Sequence, residues 1–326
     1  MSVGVTVVTG GAGYLGVPVS LELRGAGRRV RVLDRLLHRQ GGAAAELEAA
    51  GVEFVHGDVR DAGTRAAVLD GADSVVHLAA IVGDPACARE PAEAWSVNVD
   101  GTLGLIGDAQ RAGVERFIFA STCSNYGRMA DPTALVDEDG ALAPVSLYAE
   151  QKVAIEQRLL EGGLDGVHPT CLRFATLYGV APRMRFDLTV NEFSRDLWAD
   201  RVLEVFGEQF WRPYVHVADA ARAVRLVLDA PLPSVAGRVF NVGSTDENYR
   251  KIDLVEIIRR QTASGEVRFV RRDEDPRDYR VSFDRVAREL GFRTTMSVGA
   301  GVAEIARALE DRRFGDPFDP RHRNVR

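Results

Sequence analysis

Thr9-Gly10-Gly11-Ala12-Gly13-Tyr14-Leu15-Gly16 is the stretch that decides the fold. The apolar run over 3–8 before it reads as a buried strand, and the apolar run over 17–23 after it reads as the start of a helix. Gly10 suits a tight strand-to-helix turn. Gly13 lets the backbone approach a pyrophosphate, and Gly16 lets the helix pack closely on the strand. The N–H groups and positive dipole end of that helix then face the phosphates. Asp34 closes the next apolar run, over 29–33, and places a carboxylate where a ribose hydroxyl lies. Strand, glycine triplet, helix and acidic residue together predict a dinucleotide site.

Working outward, strands are predicted over 52–55, 73–78, 115–120 and 169–174, and helices over 43–50, 60–69, 92–112 and 147–161. Alternation of this kind predicts an α/β fold, a doubly wound parallel sheet of Rossmann type with right-handed crossovers. Beyond 175 the pattern loosens, which predicts a smaller, mostly helical substrate domain over 176–326. The segment 213–243 is expected to return to the first domain, 1–175. Predicted pieces there are helices over 186–199, 218–228, 251–262, 283–290 and 297–310, and a loose or oligomer-forming tail over 314–326.

With 326 residues, 46% hydrophobic and 27% charged, the chain has the composition of a globular protein with a sizeable core. Its net charge of −6 argues against bulk attraction to nucleic acid. No apolar run is long enough to cross a bilayer, so no membrane partner is expected. The first residues lack a secretory pattern, and the three cysteines lack metal-ligand spacing. A cytoplasmic, metal-free protein is the expectation.

Tyr148 and Lys152 stand four apart on a predicted helix and so share one face. An ammonium beside a phenol lowers the phenol's pKa, which suits Tyr148 to remove a proton from an alcohol as hydride leaves its carbon. Thr122 lies in the polar turn between the glycine motif and this pair. Asp58 follows a strand; it is read either as an acceptor for an adenine amino group or as the N-cap of the helix over 60–69. His216 reads as a packed structural histidine and His77 as a strand-end residue, rather than as general bases.

At this point the chain resembles the extended short-chain dehydrogenases/reductases of the nucleotide-sugar epimerase and dehydratase group. The resemblance is carried by TGGAGYLG at 9–16, Asp34, GDV at 57–59, HLAA at 77–80, VNVDGT at 97–102, YAEQK at 148–152, LRFATLYG at 172–179 and RPYVHVAD at 212–219. It implies that Tyr148, Lys152 and Thr122 are catalytic, with Lys152 also holding the nicotinamide ribose and Thr122 bonding the substrate hydroxyl. It implies a cofactor site built from Gly10, Gly13, Tyr14, Leu15, Gly16, Asp34, Arg35, Asp58, Val59, Leu78, Ala79 and Ala80, completed by Tyr148 and Lys152. Asp34 favours NAD over NADP through charge repulsion, with Arg35 beside it as the opposing element.

Two departures from the family pattern bear on the reaction. Dehydratases of the family carry Thr-Asp-Glu in the turn, where this chain has Thr122-Cys123-Ser124, so removal of water is disfavoured. Thr176 replaces an Asn that often contacts phosphate. PRMRFDLTVN at 182–191 and RDYR at 277–280 resemble a branch acting on nucleotide-activated hexoses and heptoses. Substrate candidates are therefore Ser124, Thr176, Arg183, Asn191, Arg212 and Arg277, guanidinium groups being suited to phosphate. The resemblance implies an NAD-dependent nucleotide-sugar epimerase working by transient oxidation at sugar carbon 4. A 4-ketoreductase or 4-dehydrogenase uses the same residues, and a non-catalytic NAD-sensing regulator is the distant alternative. Family members are often homodimers built on two helices, here 92–112 and 147–161.

Overall fold

The computed structural model describes residues 4–131, 133–262, 265–270 and 277–324. Seven parallel strands form the central sheet, in the spatial order Arg238–Val242, His168–Phe174, Arg116–Thr122, Ala72–His77, Val5–Thr9, Arg29–Asp34, Glu53–His56. The order reverses between Val5–Thr9 and Ala72–His77. That reversal opens a crevice at the carboxyl ends of the strands, where ligands bind in sheets of this kind.

Adjacent strand residues point to opposite faces and feed two cores. Val8, Val32, Ile118 and Leu172 pack on one side, with helices Gly16–Gly25 and Val217–Asp229. Val7, Leu33, Val75 and Phe117 pack on the other, with helices Ala62–Leu69, Thr102–Ala112 and Leu147–Leu160. A third core, around Tyr178, Phe186, Phe193, Leu254 and Ile305, holds helices Thr189–Trp198, Lys251–Arg259 and Val298–Glu310 together. Strand Trp211–His216 binds Thr176–Tyr178 on one side and Asn248–Arg250 on the other, while Arg238–Val242 rejoins the large sheet.

Three local expectations are corrected. The single helix over 92–112 is instead Pro91–Trp95, a wider π-helical turn Ser96–Gly101, and Thr102–Ala112. Inside that turn the buried Asn98 amide bonds both the N–H and the carbonyl of Ile81, and it donates to Gln151. Such π turns recur at functional sites. The cap of the next corrected helix is Asp61, which accepts from the Thr64 N–H; the helix starts at Ala62, so Asp58 is not its cap. The tail is packed as far as 324: Phe314, Phe186 and His322 form an edge-on aromatic cluster, and Phe186 N–H donates to the His322 carbonyl at 2.8 Å.

Candidate active site

A cleft of about 310 Å³ opens at the reversal point and gathers residues from the whole length of the chain. Gly10, Gly13, Tyr14, Leu15 and Gly16 form its floor. Gly10 has φ +69°, and a Cβ there would stand 2.7 Å from the Ala79 nitrogen. A Cβ on Gly16 would stand 2.2 Å from the Gly10 carbonyl oxygen, so the close turn demands both glycines. Helix Gly16–Gly25 has no side chain capping its N-terminus and no acid in its first turn. The cradle thus offers bare backbone and a helix dipole to a pyrophosphate, and fits a dinucleotide.

Asp34 also lines the cleft; its Oδ2 accepts from Ala12 N–H at 3.1 Å and its Oδ1 from Leu36 N–H at 2.7 Å. Those bonds fix the carboxylate and leave lone pairs for ribose hydroxyls. Arg35 is paired with Asp58 at 3.1 Å and Glu93 at 3.0 Å, and Arg60 bonds the same two acids. The Arg60 hydrogen bonds, first among the causes, hold the Asp58 carboxyl below its usual range. Arg35 is therefore committed to carboxylates rather than presented to a 2′-phosphate. Asp58, Val59, Leu78, Ala79 and Ala80 also line the cleft.

His77 is a structural link. Thr102 Oγ1 donates to the Asn98 carbonyl, so it accepts from His77 Nε2–H at 2.8 Å; Nδ1 then accepts from the Thr9 hydroxyl at 2.7 Å. Burial, with a smaller push from Lys152, drives its pKa down to about 3, so the ring stays neutral. His216 is packed against Tyr178 and bonded to Glu304 at 2.8 Å, again without a route to the cleft chemistry.

Thr122, Ser124 and Tyr148 line the cleft as well. Thr122 ends strand Arg116–Thr122, and its Oγ1 accepts from Ser124 N–H at 3.0 Å, fixing the turn Cys123–Tyr126. That bond uses a lone pair and leaves the hydroxyl proton to donate. Ser146 caps helix Leu147–Leu160 by accepting from Ala149 N–H, which sets Tyr148 and Lys152 one turn apart. Lys152 is 4% exposed. Its Nζ donates to the Ala120 carbonyl at 2.7 Å and lies 4.6 Å from the Phe119 ring centroid and 5.8 Å from that of Tyr148.

The expected lowering of the Tyr148 pKa is not met by the chain alone. Desolvation pushes the phenol up; Cys87 adds to that and Arg185 opposes it. The same burial pushes Lys152 down to about 8. A cationic ligand in the cleft is what would bring the phenol back down.

Cys123, by contrast, is 1% exposed, donates from Sγ to the Arg173 carbonyl, and has its thiol pushed up by burial. Beneath it, Glu156 and Arg173 form a buried ion pair joined by Ser121, Asn125 and Tyr126, and Tyr126 donates to Asn241 at 2.8 Å.

Of the substrate candidates, Ser124, Thr176, Arg183 and Arg277 line the cleft. Arg277 is paired there with Asp84 at 3.0 Å. Asn191 and Arg212 are not brought to it. Asn191 is fully buried: its Oδ1 accepts from Gly179 N–H, and its Nδ2 donates to the Tyr14 hydroxyl and the Arg185 carbonyl. Arg212 stacks 5.2 Å from the Tyr279 ring centroid, behind that tyrosine. Sequence reasoning missed Arg185, Tyr279 and Asn324, which also line the cleft. Arg185 and Tyr279 stand inside the motifs PRMRFD and RDYR, the one signal that pointed to them. Among the described residues, no group of three or more His, Cys, Asp or Glu could hold a metal ion, and no helix is long and apolar enough to cross a membrane.

Residues 6–243 match the model of the NAD dependent epimerase/dehydratase family. The chain belongs to that family. It is 31% identical to a dTDP-glucose 4,6-dehydratase of Streptomyces niveus, over 94% of this chain and 93% of the relative. It is 28% identical to a UDP-glucose 4-epimerase of Streptomyces lividans, over 88% and 90% of the two chains. Among solved structures it is similar to MoeE5 in complex with UDP-glucuronic acid and NAD. That likeness has a TM-score of 0.83 and 27% identity, covering 94% of this chain and 99% of the other. The Rossmann sheet, the extended short-chain dehydrogenase/reductase assignment and NAD as the family's cofactor agree with the sequence expectations. The relatives named here include both a dehydratase and an epimerase, so identity alone does not choose one reaction.

Proposed function

We propose that the chain is an NAD-dependent nucleotide-sugar epimerase acting by transient oxidation at carbon 4 of the sugar. One observation carries this over dehydration: Tyr148 and Thr122 meet at the cleft, while the position after Thr122 is a buried cysteine and the next a serine. Elimination of water needs an acid and a base beside the sugar. Neither Cys123, turned into the core with a raised pKa, nor Ser124, bonded to Tyr279 at 3.4 Å, supplies them.

NAD, when bound, supplies reversible hydride transfer at the sugar carbon. The chain's own residues handle the proton. Tyr148 accepts it from the sugar hydroxyl and returns it; Thr122 bonds the same oxygen; Lys152, fixed by the Ala120 carbonyl, supplies positive charge beside the tyrosine and the ribose side of the cofactor. Asp34 and Arg35 support NAD rather than NADP. Ser124, Thr176 and Arg277 are the reading's contacts to the nucleotide-diphosphate sugar.

A homodimer through the segments 91–112 and 147–160 fits this reading, since Trp95, Leu103 and Leu160 are exposed on them. Three buried, unpaired cysteines fit a reducing, cytoplasmic setting. The division into a cofactor part, 1–175, and a substrate part, 176–326, is part of the same proposal.

The test is incubation of the protein with NAD and a panel of UDP- and dTDP-hexoses, followed by chromatography and mass spectrometry. Epimerisation yields a product of unchanged mass without net NADH. Net NADH accumulation would replace the proposal with a 4-dehydrogenase, and loss of water would refute the argument from Cys123. Sedimentation velocity reads the dimer.

A further inference from the structure

The segment over 314–324 and the stretch Arg183 to Asp187 are joined into one unit that forms a wall of the cofactor cleft. Phe186 N–H donates to the His322 carbonyl, Arg183 Nη2 donates to the Arg323 carbonyl at 3.2 Å, and Asn324 N–H donates to Asp187 Oδ2 at 3.0 Å. Asp187 also holds Arg185 through two bonds, at 3.0 and 2.9 Å. Asn191 ties the unit to the glycine loop through its bonds to the Arg185 carbonyl and the Tyr14 hydroxyl. The wall is thus fixed over the place where the pyrophosphate cradle lies.

Its cleft-lining polar groups are Arg183, Arg185 and Asn324. Arg183 is 7% exposed, yet its Nε has no hydrogen-bond partner, and neither does Oδ1 of Asn324. A buried guanidinium N–H without a partner is costly unless a ligand supplies one. Arg183 and Asp34 line the same cleft, and their charges act on each other. Arg185 lines the cleft, and its carbonyl is bonded by Asn191, which also bonds the Tyr14 hydroxyl of the glycine loop.

We propose that Arg183, Arg185 and Asn324 form a clamp on the dinucleotide, with the two arginines on its pyrophosphate and Asn324 accepting from a ribose hydroxyl. The cofactor would then be gripped from both halves of the molecule: by the glycine loop below and by the 183–187/314–324 unit above. Such a grip slows cofactor release. An epimerase, which regenerates its cofactor each cycle, profits from that retention. In this the clamp rests on the proposed NAD-linked reaction, although its test needs no turnover.

The experiment is calorimetric titration of nucleotide-stripped protein with NAD, ADP-ribose, adenosine and UDP, for the native chain, Arg183→Met, Arg183→Lys and Asn324→Ala. Loss of a charge-assisted phosphate contact should weaken NAD and ADP-ribose by about 10- to 100-fold in Arg183→Met, with Arg183→Lys intermediate. Adenosine and UDP should bind as before. Asn324→Ala, which leaves both arginines in place, should speed NAD release in stopped-flow displacement by about threefold or more. Native NAD affinity in Arg183→Met overturns the clamp and leaves the proposed function standing. Weaker UDP binding with unchanged NAD binding moves Arg183 to the substrate and also overturns it. Absence of NAD binding in the native chain removes clamp and function together.

Discussion

Lys152 gives the sharpest quantitative expectation. Burial holds its pKa at about 8, against 10.5 for the ordinary group. A base whose folded pKa is depressed binds its proton better when unfolded, so protonation works against folding. The penalty is complete below the folded pKa and fades as pH rises toward the unfolded one. At about 1.36 kcal/mol per pKa unit it is on the order of 3 kcal/mol near neutral pH. It falls by roughly 2 kcal/mol between about pH 7 and pH 9.5. Lys152→Met has no such group. It also leaves the Ala120 carbonyl without its Nζ donor, a cost of about 1–2 kcal/mol that does not change with pH. The readout is therefore the slope, not the absolute stability. Urea unfolding of cofactor-free protein should show the native chain gaining about 2 kcal/mol on the variant over that pH interval, because every other titrating group is shared. Parallel pH profiles for the two proteins would refute the argument that Lys152 is held dry by the fold. The same variant should bind NAD more weakly.

Tyr148→Phe keeps the ring and removes the proton acceptor; single-turnover reduction of bound NAD, followed by absorbance, should slow by about 10²- to 10⁴-fold with NAD affinity unchanged. Thr122→Val should lower turnover by about 10²-fold, also without weakening NAD binding, and native turnover would shift the role to Ser124. The native chain should prefer NAD to NADP in calorimetry. Asp34→Ala should narrow that gap without inverting it, since Arg35 stays engaged by Asp58 and Glu93.

The parts of this molecule that were legible in its sequence are those set by local chemistry. Apolar runs of strand length, alternating with helical ones, gave the parallel order. Gly16 is required by Gly10 and Gly11, a few residues away, and Gly10 by its positive φ, with Leu78 and Ala79 as its long-range neighbours. Tyr148 and Lys152 needed only helical spacing. What was illegible depends on partners far along the chain. Asn191 has the residue type of a phosphate ligand, but its amide is consumed by Gly179, Tyr14 and Arg185, the second of these 177 positions away. At Tyr148, helical spacing reports that a lysine is near but not that both groups are desolvated in the chain alone. The tail, rich in Arg and Pro, carries no periodicity; its fixed position comes from Phe314 and His322 closing on Phe186.

The buried Glu156–Arg173 pair fixes the turn that carries Thr122, to which the proposed function gives a proton-transfer role. An ion pair this deep adds little net stability, because desolvating both charges offsets their attraction. Its effect is geometric. Glu156 accepts from Ser121 and Asn125, and Arg173 donates to Tyr126, so three of the six residues from Ser121 to Tyr126 are anchored from below. With those positions fixed, Thr122 and Ser124 face the cleft and Cys123 is directed at the Arg173 carbonyl. A thiol satisfies that inner position, being small, weakly polar and neutral there. A carboxylate in its place would be desolvated; of the charges that act on that position, Arg173 would favour it, while Glu138 and Glu156 would oppose it. Changing Cys123 and Ser124 to Asp and Glu would therefore strain the network before it created an acid and a base for eliminating water. Under the proposed function, the network beneath the turn works against dehydration together with the two missing carboxylates.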